Sequence, residues 1–281
     1  MLGLESFGRR TILTREPEFF EPPVNAWARI GRQVLTALRD TGRALVLLAE
    51  ATTQIVFVFS RQNRYDTLHQ MFVSGIKSLG VITVVAFFTG MILALQTGLE
   101  MRRYGQEVYI GSVVTLVLLR EMGPFMTGLI IAASVGSAIA AQMGTMVVSE
   151  EISALEIMSI NPVRFLVMPR LVALAVMMPF LTLYTNAVGI LGGAIVGYTQ
   201  LDVTFTAYFD NCTRYAENKD LLVGLFKAFI FGLIVVTVAC HQGFATTEGA
   251  VGVGRATRRT VIISFLTILT MGYFITRMFY K

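Results

Sequence analysis

The chain has 281 residues, 54% of them hydrophobic and only 15% charged, with a formal net charge of +5. Soluble globular domains carry about 25% charged residues, so this composition excludes an ordinary soluble enzyme or binding module and indicates an integral membrane protein. The positive balance needs no nucleic-acid partner, because Lys and Arg at cytoplasmic membrane boundaries account for it.

Residues 1–25 are polar, carry Pro17, Pro22 and Pro23 and contain no apolar stretch of the secretory-signal kind. They are expected to form a flexible cytoplasmic lead. From Trp27 the apolar residues Ile30, Val34, Leu38, Leu45 and Leu48 recur mostly at spacings of three or four, with Arg29, Arg32, Arg39, Asp40 and Arg43 on the other face. That pattern predicts an interfacial amphipathic helix region over 26–60, lying on the membrane surface. Residues 61–281 then form the transmembrane domain.

Five spans are predicted there, since a crossing takes about 20 apolar residues. They fall near 79–99, 108–148, 170–198, 221–243 and 261–279. The second is too long for one simple crossing. It either extends beyond the bilayer or breaks near Gly123–Pro124. The polar segment 199–220 suits a short external helix. Nine Arg and one Lys precede residue 79, and Arg255, Arg258 and Arg259 sit before the last span. The excess of basic residues places the N-terminus in the cytoplasm and the C-terminus outside, with 149–169 also cytoplasmic. Arg102 and Arg103 count weakly against this orientation.

Three features stand out in 120–164. Gly128, Ala132, Gly136, Ala140 and Gly144 recur every four residues and predict close helix packing. Arg120 and Glu121 interrupt an apolar run. A charge in mid-bilayer costs about 2.5–3.5 kcal/mol and faces protein or a wet cavity, whereas at the interface it snorkels cheaply. Both readings put the pair near the outer leaflet, where Gln96 and Glu100 share a polar zone suited to an amphiphile headgroup. Finally, Glu150, Glu151, Ile152, Leu155, Glu156 and Met158 form a short amphipathic unit with Ser149 as expected N-cap and Asn161–Pro162 as its end. It is either a docking helix or a plain surface connector.

The chain contains no phosphate-binding motif: GAVGVGRATRR lacks GK[ST] and does not fit GxGxxG. Two cysteines and two histidines without ligand spacing give no metal site, and no catalytic constellation is evident. Any ATP must be handled by another chain. An ion-coupled secondary transporter or channel using Arg120 and Glu121 is the competing reading, although the inverted repeats frequent in such folds are not evident.

The stretches LREMGP, SVGSAIAAQMGTM, EEISALEIMSINPVRFLVMPR, GILGGAIVG and GAVGVGRATRRTVI resemble, in order over about residues 65–280, the MlaE-type (YrbE-like) permeases of ABC lipid transporters. The resemblance implies an all-α integral membrane protein: an N-terminal interfacial amphipathic helix, five transmembrane helices and a short cytoplasmic coupling helix. It implies a homodimer in the bacterial inner membrane, driven by a cytoplasmic ABC ATPase dimer that binds ATP and Mg. A periplasmic MCE-domain protein and often a STAS-domain protein complete such assemblies, which move phospholipids between inner and outer membranes. By the same resemblance Arg120 and Glu121, with Gln96 and Tyr104, line the lipid pocket. Glu150, Glu151, Ile152, Leu155, Glu156 and Met158 would form the helix gripped by the ATPase. The family often has Arg where this chain has Ser134.

Overall fold

A computed structural model describes residues 26–53 and 61–280. The expected lead 1–25 and the 54–60 part of the interfacial region lie outside the described residues. The chain divides into two compact units after Gly42. In the first, the described residues 26–42 are helical and begin α1 (Ala26–Thr53).

In the second unit every element is helical among the described residues. α2 (Arg61–Ser74) passes through one 3-10 turn (Ile76–Ser78) into α3 (Leu79–Arg103). The second span is α4 (Ile110–Val117), α5 (Gly123–Ile131) and α6 (Ser137–Val148), joined by π-turns at Leu118–Met122 and Ala132–Gly136. Next come α7 (Glu151–Ile157), a π-turn (Val163–Val167), α8 (Met168–Gln200), α9 (Phe205–Tyr215), α10 (Asn218–Phe244) and α11 (Gly249–Phe279).

Five helical stretches are long and apolar enough to cross a membrane: Arg64–Arg103, Glu107–Val148, Val163–Gln200, Asn218–Phe244 and Gly249–Phe279. The five predicted spans are therefore present, and three are longer at their starts than hydropathy suggested. Forty residues at 1.5 Å each give the first about 60 Å, twice the hydrocarbon core, so α2 lies largely beyond it.

Close backbone contact fixes the bundle. A Cβ on Gly90 in α3 would overlap the carbonyl of Gly189 in α8, and one on Gly224 in α10 would overlap the carbonyl of Leu119. The predicted small-residue stripe is buried along its length. Gly128 faces Phe231 and Ile268, Gly136 faces Val235 and Thr260, and Gly144 faces Thr246 and Val253. Ala132 and Ala140 are 1% and 0% exposed. The stripe thus packs on α10 and α11 of the same chain, and the core cluster around Ile131, Met143, Phe231 and Val235 grows from it.

The helix does not break at Gly123–Pro124. The π-turn ends there, with the Gly123 N–H bonded to the Leu118 carbonyl, and Pro124 enters α5 in its first turn. Proline's missing N–H is tolerated at a helix start, so widening the preceding turn lets the chain continue.

Candidate functional site

Arg120 and Glu121 lie in the first π-turn, a geometry frequent at functional sites. Their partners come from the start of α10 and the end of α11. Arg120 binds Asp220 through two bonds, Nε to Oδ1 at 2.7 Å and Nη2 to Oδ2 at 3.2 Å. Asp220 is 0% exposed and also accepts from the Tyr280 hydroxyl at 2.7 Å and, at 3.4 Å, from the Glu217 backbone N–H. That last bond belongs to a capping box in which Glu217 and Asp220 cap the N-terminus of α10 reciprocally. Local helix capping thus places the carboxylate that receives Arg120. The Arg120 guanidinium also lies 4.6 Å from the centre of the Tyr280 ring. Burial, and then the bond to Asp220, raises the Tyr280 phenol above its ordinary pKa.

Lys227, two turns further along α10, is 1% exposed. Its ammonium has three N–H donors and three acceptors: the Arg120 backbone carbonyl at 2.7 Å, Glu121 Oε1 at 2.8 Å and Thr276 Oγ1 at 2.7 Å. Thr276 in turn donates to Glu121 Oε1 at 2.6 Å. Buried ions are tolerated when paired and fully hydrogen-bonded, and both buried members, Asp220 and Lys227, meet that condition. Arg120 and Glu121 keep 38% and 43% of their side chains exposed. The result is a neutral set of four charges with its buried half rigid and its other half open.

The sequence had singled out Arg120 and Glu121 but neither Asp220 nor Lys227. A lone Lys inside the apolar run 221–243 was the available signal for the second. Gln96 is exposed on α3, and Tyr104 is 78% exposed at its C-terminus. Neither is bonded into the four-charge set. An apolar groove of about 560 Å³ runs between α8 and α9, lined by residues including Thr115, Leu191, Phe209 and Cys212 and by none of the four charged residues.

At the opposite end of the bundle, α7 begins differently from expectation. Its N-cap is Glu150, held in the left-handed region at φ 61° with no side-chain cap bond. Ser149 instead donates to the Thr145 carbonyl and to Glu151. Asn161, expected to end α7, caps the helical turn that leads into α8. Its Oδ1 accepts from the Val163 and Arg164 N–H groups at 2.8 and 3.3 Å, with Pro162 between. Its amide donates to Glu50 in α1 at 2.9 Å. Glu150, Glu151, Glu156 and Met158 are exposed, whereas Ile152 and Leu155 pack against the core. Ile157, at 84% exposure, and Met158, at 61%, are the large apolar residues presented at the end of α7. Among the described residues no cluster of three or more His, Cys, Asp or Glu could hold a metal.

Residues 67–278 match the family described as permease MlaE. A relative from Rickettsia felis, named a probable ABC transporter permease protein, is 41% identical over 90% of this chain and 96% of its own length. The intermembrane phospholipid transport system permease protein MlaE of Haemophilus influenzae is 33% identical over 90% of this chain and 97% of its own. The chloroplastic protein TRIGALACTOSYLDIACYLGLYCEROL 1 of Arabidopsis thaliana is 33% identical over 77% of this chain and 62% of its own.

Proposed function

The chain belongs to the MlaE permease family, and from that premise we propose that it is the membrane-spanning subunit of an ABC transporter moving phospholipids between the inner and outer membranes. Two copies enclose the lipid pocket. A separate ATPase dimer, which binds ATP and Mg, drives it from the α7 end. That end faces the cytoplasm, and the end carrying Arg120 and Glu121 faces the periplasm, where an MCE-domain protein takes or delivers lipid. A STAS-domain protein joins the ATPases.

The observation that carries this reading is the half-open charge set. Asp220 and Lys227 are immobilised by complete hydrogen bonding, which holds Arg120 and Glu121 at the outer end with exposed edges. A guanidinium and a carboxylate held side by side can meet the phosphate and the amine of a lipid headgroup. Gln96 and Tyr104, exposed on α3, join the pocket wall in the dimer. The test is reconstitution of the chain with its ATPase in liposomes of labelled phospholipid. ATP-dependent lipid transfer to an acceptor, lost in Glu121→Lys, supports the reading. Transfer that needs no ATPase and responds to a proton gradient would replace it with the ion-coupled alternative.

A further inference from the structure

Arg170 sits near the start of the third span, at the α7 end, and is only 8% exposed. Its Nη1 donates to the Leu166 carbonyl at 2.8 Å and to the Met143 sulfur at 3.4 Å, and its Nη2 to Gln142 Oε1 at 3.3 Å. All three acceptors are neutral, and the Nε–H has no acceptor. Among the described residues no carboxylate pairs with it, in contrast to Arg120 with Asp220 and Lys227 with Glu121. A guanidinium cannot shed its proton to escape burial, and an unpaired ion costs several kcal/mol when withdrawn from water. An ionisable group of this kind inside a membrane protein signals a ligand or pathway.

Arg170 also lines a small pocket of about 180 Å³ between α2 and the start of the third span. The other walls are Asp66, His69 and Gln70 from α2, with Phe165, Leu166 and Pro169 from the start of the third span. This lining has two poles. A free phosphate would meet Arg170 but be opposed by Asp66, and a simple cation would meet the reverse. A phosphoryl group with an ammonium a few bonds away satisfies both, with His69 and Gln70 supplying further polar contacts. α2 continues past the apolar part of the first span, which would set the pocket near the lipid headgroups. Phe165, 42% exposed at its edge, offers an apolar seat for the glycerol end of a lipid.

We propose that this pocket binds the phosphoethanolamine headgroup of a lipid in the leaflet on the α7 side, the phosphate at Arg170 and the ammonium at Asp66. The site is separate from the charge set at the other end of the bundle. It rests on the lipid reading above for its ligand class, and its test reads binding, not transport. A transporter that fails to move lipid yet keeps this headgroup preference counts against the transport reading alone.

The experiment places the intact complex of permease and ATPase in nanodiscs of equimolar phosphatidylethanolamine and phosphatidylglycerol. Tightly retained lipid is then counted by native mass spectrometry. The wild-type complex retains phosphatidylethanolamine at least threefold over phosphatidylglycerol. Asp66→Asn, a near-isosteric change on a partly exposed residue, brings that ratio towards one. Arg170→Gln lowers retention of both lipids, and Asp66→Asn keeps the question open to test if Arg170→Gln does not fold. A wild-type ratio near one, or a ratio unchanged in Asp66→Asn, overturns the proposal. The second arm adds soluble phosphoethanolamine to the complex in detergent. Thermal stabilisation by that compound at submillimolar concentration would reassign the pocket to a soluble phosphate ester and overturn the lipid assignment, whereas no shift supports it.

Discussion

Lys227 donates a hydrogen bond of 2.7 Å to the backbone carbonyl of Arg120. In an unbroken α-helix that carbonyl would receive the N–H of the residue four places on, which here is Pro124 and has none. One ammonium therefore supplies a donor that the backbone lacks, pairs with Glu121 and reaches Thr276 on α11. The proline of the second span and the lysine of the fourth form one structural unit.

Lys227→Met is expected to lower the melting temperature of the detergent-purified protein sharply, corresponding to about 3 kcal/mol. It strips the Arg120 carbonyl of its Lys227 donor and Glu121 of its ion-pair partner at once, leaving Glu121 with the Thr276 hydroxyl alone. Adding Glu121→Gln to that variant should recover part of the loss, since no uncompensated carboxylate then remains. Equal melting of wild type and Lys227→Met would contradict the assigned role.

Arg120 and Asp220 should behave as a coupled pair. A double-mutant cycle with Arg120→Gln and Asp220→Asn, read by thermal melts, is expected to give a coupling of about 1–3 kcal/mol. Additive effects would mean that the two bonds between them contribute little.

Gly90→Ala should destabilise by about 1–3 kcal/mol, because the new methyl meets the Gly189 backbone, which has no rotamer to yield. Gly80→Ala, ten residues earlier on the same helix with open space around it, should be neutral or gain up to about 1 kcal/mol from helix propensity. The two melts measured side by side separate crossing geometry from propensity.

Asn161→Asp and Asn161→Ala should part company. The aspartate keeps the acceptor for the Val163 and Arg164 N–H groups and loses the donor to Glu50, whereas alanine loses both. Alanine is expected to cost about 1 kcal/mol more through the lost cap. Because the aspartate sets a second carboxylate beside Glu50, the pair is compared in a Glu50→Gln background, where similar melts for the two would show that capping by residue 161 contributes little.

On α7, Met158→Lys and Ile157→Lys should reduce co-purification of the ATPase while leaving the melting temperature within about 2 °C, because both side chains are exposed. Leu155→Lys should instead lower stability, since Leu155 packs against the core. The opposite pattern would move the docking surface to the other face of the helix.

Much of this was legible in the chain itself. Hydropathy located five spans, and the four-residue recurrence from Gly128 to Gly144 identified a packing face. Arg120 and Glu121 were conspicuous because charge is rare in an apolar run. Their partners were not, since Asp220 and Lys227 are about a hundred residues away and become neighbours only when α10 packs on the second span. Asp220 also resembled one more polar residue of an external segment, when its position is set by the capping box with Glu217. Asn161 was misread for a related reason: an Asn–Pro pair can close one helix or open the next, and only the hydrogen bonds distinguish them. Ile152 and Leu155 belong to the same amphipathic pattern as Met158, but periodicity alone does not say which face meets the bundle.

The π-turn at Ala132–Gly136 gives the second span its aim. A step of four residues overshoots a full turn by about 40° in a regular helix, so four steps from Gly128 to Gly144 would carry the stripe roughly 160° round the axis. The wider turn in the middle takes much of that back, and the same neighbours, α10 and α11, are met at both ends. Chain length is here converted into rotation. Losing one residue from the wide turn would close it into a regular one and leave that aim nearly unchanged, whereas losing one from a regular helical turn swings everything beyond it by about 100° and would turn the glycines of α6 away from the helices they were shaped to touch.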